Sequence, residues 1–292
     1  MQPKYIDIHS HVNFTAFDAD RDEVIARALA NDTWVINVGT QIDTSRKAVE
    51  MTYTYTNTYA IIGLHPIHTG ASFHDEKELG EGNKEFTSRG EIFNKQAYRE
   101  LLKDPKVVAI GECGLDYYRC DEESIERQKQ AFVAQIELAN EFDKPLMLHI
   151  RNNPNDKGHA SMDGARHGFT KPNAYSDVLD LLKNFPNIKG DVHFFAGTWE
   201  DAKKFLDIGF NLSFTGVITF TKDYDEVIRN TPLDRIMSET DSPYVAPAPY
   251  RGKRNEPVYV KEVVKKIAEI KNLPEEEVAK AIIANARRLF GI

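Results

Sequence analysis

The sequence has few cysteines and no long apolar run. Its two cysteines, Cys113 and Cys120, are too few for a disulfide framework, which favours a reducing compartment. No apolar run reaches the ~18 residues that a membrane helix requires. The amino-terminal segment, residues 5–11, has the pattern of a strand and differs from a signal peptide. We therefore expect a cytoplasmic protein with no membrane partner.

The sequence also lacks an excess of basic residues. Acidic residues outnumber basic ones by 45 to 37, which gives a formal net charge of -8. Non-specific binding to long duplex DNA depends on many contacts from Lys and Arg to phosphates, which an acidic surface does not supply. A nucleic-acid substrate would therefore have to be bound locally, at an end or as a single strand. We find no indication of an obligate protein partner.

Strand-like and helix-like segments alternate along the chain. The helical pattern of Arg21 to Ala30, for example, is followed by the apolar run from Trp34 to Val38. Alternation at this spacing is typical of βαβ units and predicts an α/β fold, a (β/α)8 TIM barrel. Such barrels form single domains of ~250 residues, and no linker interrupts this chain. We expect one domain, residues 1–292.

Two polar segments, residues 68–90 and 152–172, depart from this alternation. Neither shows a sustained helical or strand period, so both are predicted to be surface insertions. A lid over the site is the alternative for the first, because long irregular loops in compact domains are often functional. Basic residues in the second suggest, more weakly, contacts with a nucleic-acid strand.

Six residues of the types that bind metals stand at the ends of predicted strands. They are His9, His11, Glu112, His149, His193 and Asp241. The carboxyl ends of barrel strands meet at one mouth, where barrel enzymes keep their chemistry. Four imidazoles and two carboxylates gathered there predict a site for one or two divalent ions. Glu112 is the natural bridge between two ions, because each of its two oxygens can bind one.

Two further acidic residues are expected to support these ligands. Asp7 shares a face with His9, because side chains alternate along a strand, and is predicted to orient the His9 ring by accepting a hydrogen bond. Glu239 shares a face with Asp241 at a deeper level of the barrel. It is predicted to be a supporting hydrogen-bond partner.

A series of motifs makes the chain similar to one family over nearly its whole length. The motifs DIHSH, GLHP, GECGLDYY, LHIR, HFFAG, ETDSPY, RGKRNEP and NARRLFG resemble, in the same order, those of the TatD family of metal-dependent deoxyribonucleases. The resemblance implies hydrolysis of DNA phosphodiester bonds, and we expect exonucleolytic trimming of single-stranded ends. Under this interpretation Glu112 and Asp241 are catalytic, and Asp241 accepts the proton of the attacking water.

Five residues are predicted to bind the substrate: His65, Arg151, Arg251, Lys253 and Arg254. The resemblance places His65 beside the substrate pocket, where it would bind phosphate or assist proton transfer; a loop histidine satisfied by backbone carbonyls is the alternative. Arg151 follows His149 on the same face and offers a planar fork for phosphate, unless it is an ordinary salt-bridged loop residue. The three basic residues of RGKRNEP suit a polyanion, although a solvated basic turn explains them too.

The identity of the metal and the substrate stay open at this point. Imidazole ligands favour zinc or manganese, whereas the family resemblance often implies magnesium. The same site would also suit an ester or amide hydrolase, such as a deacylase that removes D-amino acids from tRNA, which some TatD-like proteins are thought to do. A non-catalytic binding protein on an inherited barrel is a third alternative.

Overall fold

Eight parallel strands form a nearly closed barrel in the computed structural model, which describes residues 2–74, 86–118, 120–153 and 173–292. In chain order the strands are β1 (Tyr5–Ser10), β2 (Thr33–Val38), β3 (Thr58–Ile62), β4 (Ser72–His74), β5 (Phe86–Ser88), β6 (Val107–Asp116), β7 (Leu146–Arg151), β8 (Gly190–Val192), β9 (Asn211–Phe214) and β10 (Ile236–Ser238). Strands β4 and β5 pair only with each other, and the other eight follow one another around the barrel. The predicted (β/α)8 barrel is confirmed.

Helices connect the barrel strands and cover their outer face. They are α1 (Arg21–Ala30), α2 (Ile42–Thr54), α3 (Lys95–Leu101), α4 (Glu122–Glu141), α5 (Ala174–Leu182), α6 (Trp199–Asp207), α7 (Asp225–Asn230), α8 (Val260–Lys271) and α9 (Glu275–Phe290). Each buries an apolar face, as α4 does with Phe132, Ile136 and Ala139. In the described part of the chain, no helix has the length and apolar composition needed to cross a bilayer.

Side-chain caps begin several of these helices. Thr198 caps α6: its Oγ1 accepts a hydrogen bond of 3.2 Å from the backbone N–H of Asp201. The Asp201 carboxylate accepts one of 3.2 Å from the N–H of Thr198, which completes a capping box. Asp121 caps α4 in the same way, since it accepts from Ser124 N–H at 2.8 Å. These caps satisfy backbone donors that a helix leaves unpaired.

The first long polar segment contains more regular structure than the sequence suggests. Residues 66–69 form a 3-10 turn, and β4 and β5 pair in antiparallel register with Phe73 opposite Thr87. The predicted insertion therefore contains a pair of short strands, which a local period does not reveal because they pair across the intervening chain. Residues 75–85, and 154–172 of the second segment, lie outside the described residues, so their functions stay predictions.

The first and last barrel strands meet at a seam. Ser10 and Ser242 form a parallel bridge there, and His11 N–H donates to the Ser242 carbonyl at 2.8 Å. The N–H of Asp241 donates to the carbonyl of His9 at 2.9 Å. The seam thus places predicted ligands from the two ends of the chain side by side.

Strand β6 continues beyond its predicted end at Glu112 and reaches Asp116. Gly114 permits this continuation, because its φ of 137° lies in a region that residues with a side chain rarely adopt. A Cβ at Gly114 would lie 2.2 Å from the carbonyl oxygen of His149 on β7. Glycine is therefore required for both the conformation and the close approach of β6 to β7.

Replacement of Gly114 by alanine is expected to destabilise the protein by about 3 kcal/mol, since the added methyl group overlaps backbone that cannot move aside cheaply. Gly209→Ala is the matched control, because Gly209 has a φ of 87° but nothing within 4 Å of its Cβ position. The control should lose only about 1–2 kcal/mol, the cost of the left-handed conformation. Urea unfolding measures both variants, and equal losses would contradict the steric argument.

Candidate metal centre

The carboxyl ends of the barrel strands surround a cavity of about 1070 Å³. All six predicted metal ligands converge at its floor, and His65 joins them. Five of the six line the cavity itself: His11, Glu112, His149, His193 and Asp241. His9 lies beneath them and is fully buried. The structure therefore brings together side chains that come from widely separated parts of the sequence.

The Glu112 carboxylate lies at the centre of the cluster and faces imidazoles on both sides. Its Oε2 is 3.3 Å from His9 Nε2 and 3.6 Å from His11 Nε2. Its Oε1 is 2.8 Å from His149 Nδ1 and 3.2 Å from His193 Nε2. The two oxygens thus belong to two separate sets of ligand atoms, as a bridging carboxylate requires.

Asp241 completes the first set of ligand atoms. Its Oδ1 lies 3.3 Å from His11 Nε2 and 3.9 Å from His9 Nε2, and the two histidine nitrogens are 3.1 Å apart. The donor atoms of these three residues all lie within 4.8 Å of one another. A shared cation would relieve the repulsion between lone pairs held so close together, so this set fits a divalent ion.

Hydrogen bonds fix the rings of two histidines with their Nε2 atoms directed at Glu112. His11 Nδ1 donates to the Val38 carbonyl at 2.9 Å, and His193 Nδ1 donates to Glu239 Oε1 at 3.0 Å. These bonds hold the Nδ1 proton of each ring in place, so Nε2 is the atom that can bind an ion once it has lost any proton of its own. Glu239 thus takes a supporting position, although it supports His193 and not Asp241.

His65 differs from the other four imidazoles in its orientation. Its Nδ1 accepts a hydrogen bond of 3.2 Å from the N–H of Ile67, so the proton resides on Nε2. Nε2 lies 3.1 Å from Glu112 Oε1 and donates to it. In this tautomer His65 is a hydrogen-bond donor in the site and offers no lone pair to a metal. The contact with backbone carbonyls considered above is not what orients it.

Asp7 does not hold the His9 ring, contrary to the sequence-based expectation. Its carboxylate accepts from the N–H and the hydroxyl of Thr240, and from the backbone N–H of His9. Within the described residues, His9 Nδ1 has no hydrogen-bond partner. Asp7 is directed across the seam because Thr240 offers two donors there, and its contribution is to hold β10 against β1.

Sequence reasoning gave Asp116 no part in the site. The structure places its Oδ2 2.9 Å from His149 Nε2 and 3.9 Å from Arg151 Nη1, in a position only 3% exposed. A signal was available, since residues 112, 114 and 116 share one face if the strand continues past Glu112. The sequence-based prediction ends the strand at Glu112 and therefore leaves Asp116 in the following loop.

Burial and neighbouring charges shift the pKa values of Glu112 and His193 in opposite directions. Burial disfavours the charged form of Glu112, but His65, His193 and His149 outweigh it and hold the pKa of Glu112 well below its usual range. Burial likewise opposes the charged form of His193, yet Glu239 and Glu112 raise its pKa well above the ordinary value. Since metal ions bind imidazoles that lack a proton on the ligand nitrogen, binding at these sets must release protons.

The predicted substrate residues separate into two groups. Arg151 lines the cavity, and its guanidinium stacks on Tyr118 at 3.7 Å from the ring centroid. Arg254 instead donates to Asp20 at 2.9 Å and packs over Phe17. The structure thus corrects the expectation for Arg254: its guanidinium joins the last loop to the first one.

The other two residues of the basic turn, Arg251 and Lys253, are exposed. Arg251 stacks over the ring of Phe220 at 3.8 Å. Neither residue lines the cavity. A contact of this turn with substrate would therefore lie outside the cavity, and it stays a prediction.

Buried polar groups extend the site below His193. Ser213 Oγ lies 2.6 Å from Asp191 Oδ2 and 2.8 Å from Glu239 Oε2. A hydroxyl can donate only one proton, so one of the two carboxyl groups must itself carry a proton to make both contacts favourable. Burial, together with the charge of Glu239, raises the pKa of Asp191 to about 8. Asp191 is therefore the protonated member.

Comparison with known proteins places the chain among metal-dependent hydrolases. Residues 6–291 match the model of the family described as TatD related DNase. The chain is 36% identical to the uncharacterized metal-dependent hydrolase YabD of Bacillus subtilis, with 98% of each protein covered. It is 30% identical to the uncharacterized metal-dependent hydrolase YcfH of Escherichia coli K12, covering 98% of this chain and 96% of that one.

Solved structures show the same fold. The crystal structure of YJJV, a TatD homologue from Escherichia coli K12, matches with a TM-score of 0.77 at 24% identity over 100% of both chains. A TatD family hydrolase from Entamoeba histolytica matches with a TM-score of 0.76 at 23% identity and 99% coverage of both.

The buried proton on Asp191 predicts a specific pH dependence. The unfolded chain ionises Asp191 above pH ~4, whereas the folded protein keeps the proton up to about pH 8. The free energy of unfolding should therefore fall as pH rises through this window, by up to ~1.4 kcal/mol per pH unit, and the effect should end above it. Asp191→Asn cannot lose a proton and should lack this decline.

Urea unfolding of the metal-free protein and of Asp191→Asn at pH 5, 6, 7 and 8 measures this difference. The stability of the variant minus that of the original protein should grow with pH over the series. A difference that is constant from pH 5 to 8 would show that Asp191 is ionised in the fold.

Proposed function

The chain belongs to the TatD related DNase family of metal-dependent hydrolases, and from this premise we propose that it hydrolyses phosphodiester bonds at single-stranded ends of DNA. One observation supports the proposal above the others. Two sets of ligand atoms, bridged by Glu112, lie at the floor of an open cavity whose wall carries Arg151. Two ions bridged by a carboxylate beside a phosphate-binding cation can stabilise both the attacking and the leaving oxygen in phosphodiester hydrolysis.

The two sets divide the six predicted ligands between them. We assign each ligand by the Glu112 oxygen that it faces, so the first set consists of His9, His11, Asp241 and Glu112 Oε2, and the second of His149, His193 and Glu112 Oε1. Divalent ions, when bound there, would polarise the phosphoryl oxygens and lower the pKa of an attacking water. Elemental analysis of protein purified without chelator would decide among zinc, manganese and magnesium.

Asp241 is the proposed proton acceptor. Its carboxylate lines the cavity, and its Oδ1 lies 3.3 Å from His11 Nε2, beside the first set. A carboxylate in that position can accept the proton that a water molecule loses as it attacks phosphorus. The backbone hydrogen bond from Asp241 to His9 keeps the carboxylate beside the ligands of the opposite strand.

Arg151 and His65 are the proposed phosphate-holding groups. The stack on Tyr118 orients the planar guanidinium at the cavity wall, where its N–H groups can donate hydrogen bonds to two phosphate oxygens. The Nε2–H of His65 is the only proton that its ring can donate in the observed tautomer. It is directed at Glu112, beside the place where a phosphate would lie.

Aromatic rings at the mouth suit the bases of a single strand. Phe14 stacks on His11 with ring centroids 4.4 Å apart and lines the cavity, as does Tyr244. Base stacking on such rings contributes ~1–3 kcal/mol per base without sequence preference. Tyr117, in contrast, is 2% exposed and donates to Asp177, so it cannot stack on a base. Local binding of this kind is compatible with a net charge of -8.

The decisive experiment compares two substrates with the same protein. We expect cleavage of end-labelled single-stranded DNA to mononucleotides, abolished by chelator, and no hydrolysis of D-aminoacyl-tRNA. Glu112→Gln and Asp241→Asn should each lower kcat about 10³-fold or more, because the first loses its bridging charge and the second loses its proton acceptor. Activity confined to the aminoacyl ester would reject DNA as the substrate, and unchanged rates in either variant would reject the assigned roles.

Arg151→Ala is expected to raise KM for single-stranded DNA about 10-fold or more, because a charge-assisted contact with phosphate is lost. Arg99→Ala is the matched control. Arg99 also pairs with a carboxylate, that of Glu141, at 2.7 Å. Glu141 is the last residue of α4, so this ion pair lies at the end of the barrel opposite the cavity. Steady-state kinetics should show an unchanged KM for the control; equal effects would mean that Arg151 acts only through stability.

A further inference from the structure

We propose that Asp116 is a positioning residue that holds His149 in the tautomer able to bind a metal ion through Nδ1. The proposal rests on the metal-binding part of the function proposed above and is independent of the substrate. Neither the predicted ligand set nor the predicted supporting residues include Asp116. Its place in the structure, between His149 and the Arg151 side chain, is what assigns it this part.

Both ring nitrogens of His149 face a carboxylate. Nδ1 lies 2.8 Å from Glu112 Oε1, on the side of the second ligand set, and Nε2 lies 2.9 Å from Asp116 Oδ2. An ionised carboxylate only accepts hydrogen bonds, so Nε2 must carry a proton to make the contact with Asp116 favourable. The same argument puts a proton on Nδ1 of the metal-free ring, because Nδ1 faces Glu112. An ion bound by the second ligand set would replace that proton, whereas Asp116 lies outside the set and keeps the proton on Nε2, so Nδ1 becomes the ligand atom.

The Asp116 carboxylate is itself held in one orientation. Its other oxygen, Oδ1, accepts a hydrogen bond of 2.8 Å from the backbone N–H of Tyr118. Asp116 is also the last residue of strand β6, and the Gln128 side chain holds its backbone through two hydrogen bonds. Gln128 Oε1 accepts from the N–H of Asp116 at 2.8 Å, and Gln128 Nε2 donates to the carbonyl of Asp116 at 2.9 Å. These backbone contacts do not involve the carboxylate, so they remain when the side chain is changed.

The fixed orientation makes asparagine and alanine at this position act differently. In Asp116→Asn the amide oxygen would face the N–H of Tyr118, because the amide nitrogen cannot accept from it. The NH₂ group would then face His149 Nε2, which must lose its proton to accept that hydrogen bond. The proton would move to Nδ1 and block the ligand atom. In Asp116→Ala no group enforces either tautomer, and water can accept from Nε2.

Asp116→Asn should therefore weaken metal binding more than Asp116→Ala does, although asparagine is the closer match to aspartate in shape. Titration of the metal-free protein with Zn²⁺, followed by calorimetry and elemental analysis, should give two equivalents for the original protein. Asp116→Ala should weaken the second equivalent about 10- to 100-fold. Asp116→Asn should weaken it about ten-fold further or abolish it, because a wrong tautomer is enforced. The first equivalent should change little in both.

Asp177→Asn is the matched control, because Asp177 also accepts from a neighbouring side chain, Tyr117, at 2.7 Å but is not in the cluster. It should bind two equivalents with unchanged affinity. Wild-type affinity in Asp116→Asn, or a greater loss in Asp116→Ala than in Asp116→Asn, would overturn the proposal. So would fewer than two equivalents in the original protein.

A spectroscopic measurement on the original protein tests the tautomer without any variant. In ¹⁵N-labelled protein loaded with Zn²⁺, long-range ¹H–¹⁵N spectra should show His149 with a proton on Nε2 and none on Nδ1. A proton on Nδ1 would overturn the proposal. Protein that binds two equivalents in this tautomer but does not cleave DNA would refute the proposed substrate and leave the inference about Asp116 standing.

Discussion

The arrangement of the mouth depends on one buried carboxylate surrounded by imidazoles. Five histidine rings place a nitrogen within 3.6 Å of Glu112, a residue 4% exposed. An ionised carboxylate is costly to bury without compensating partners, and these rings supply them. Four of the rings are also held by a second group: His11 and His65 by the backbone, and His149 and His193 by a carboxylate. Groups behind these histidines orient the rings, and the rings in turn surround Glu112, the residue that both ligand sets share.

Much of the site could be predicted because its residues follow simple rules. A parallel barrel collects strand ends at one mouth, so a ligand residue at the end of each apolar run is informative. Local periodicity does not show which neighbours a side chain meets across strands. It could not show that the Asp7 carboxylate accepts hydrogen bonds from Thr240, or that the Arg254 guanidinium donates to Asp20. Asp116 was not predicted because the strand was expected to end at Glu112, whereas Gly114 lets it continue to Asp116.

Buried polar residues inside the barrel keep the His193 ring in its orientation. Asp191, Ser213 and Glu239 are fully buried, and together they lead to His193 Nδ1. An apolar filling would be simpler to bury, but it would leave the His193 ring without a hydrogen-bond acceptor. The protonated Asp191 donates to Ser213 and lets Ser213 donate to Glu239 Oε2, while Glu239 Oε1 faces the His193 ring. Specific geometry at the mouth thus depends on residues that substrate never touches.

The seam between β1 and β10 has a consequence for how the protein is made. The first ligand set takes His9 and His11 from one edge of the seam and Asp241 from the other, and backbone hydrogen bonds join the same residues. A nascent chain on the ribosome has made the histidines long before it reaches Asp241, and until then the barrel remains open at this edge. The second set is complete once His193 has been synthesised. The ligands of the second set are therefore synthesised before the first set is complete, and an ion bound by the first set would join the first and the last barrel strand to be made.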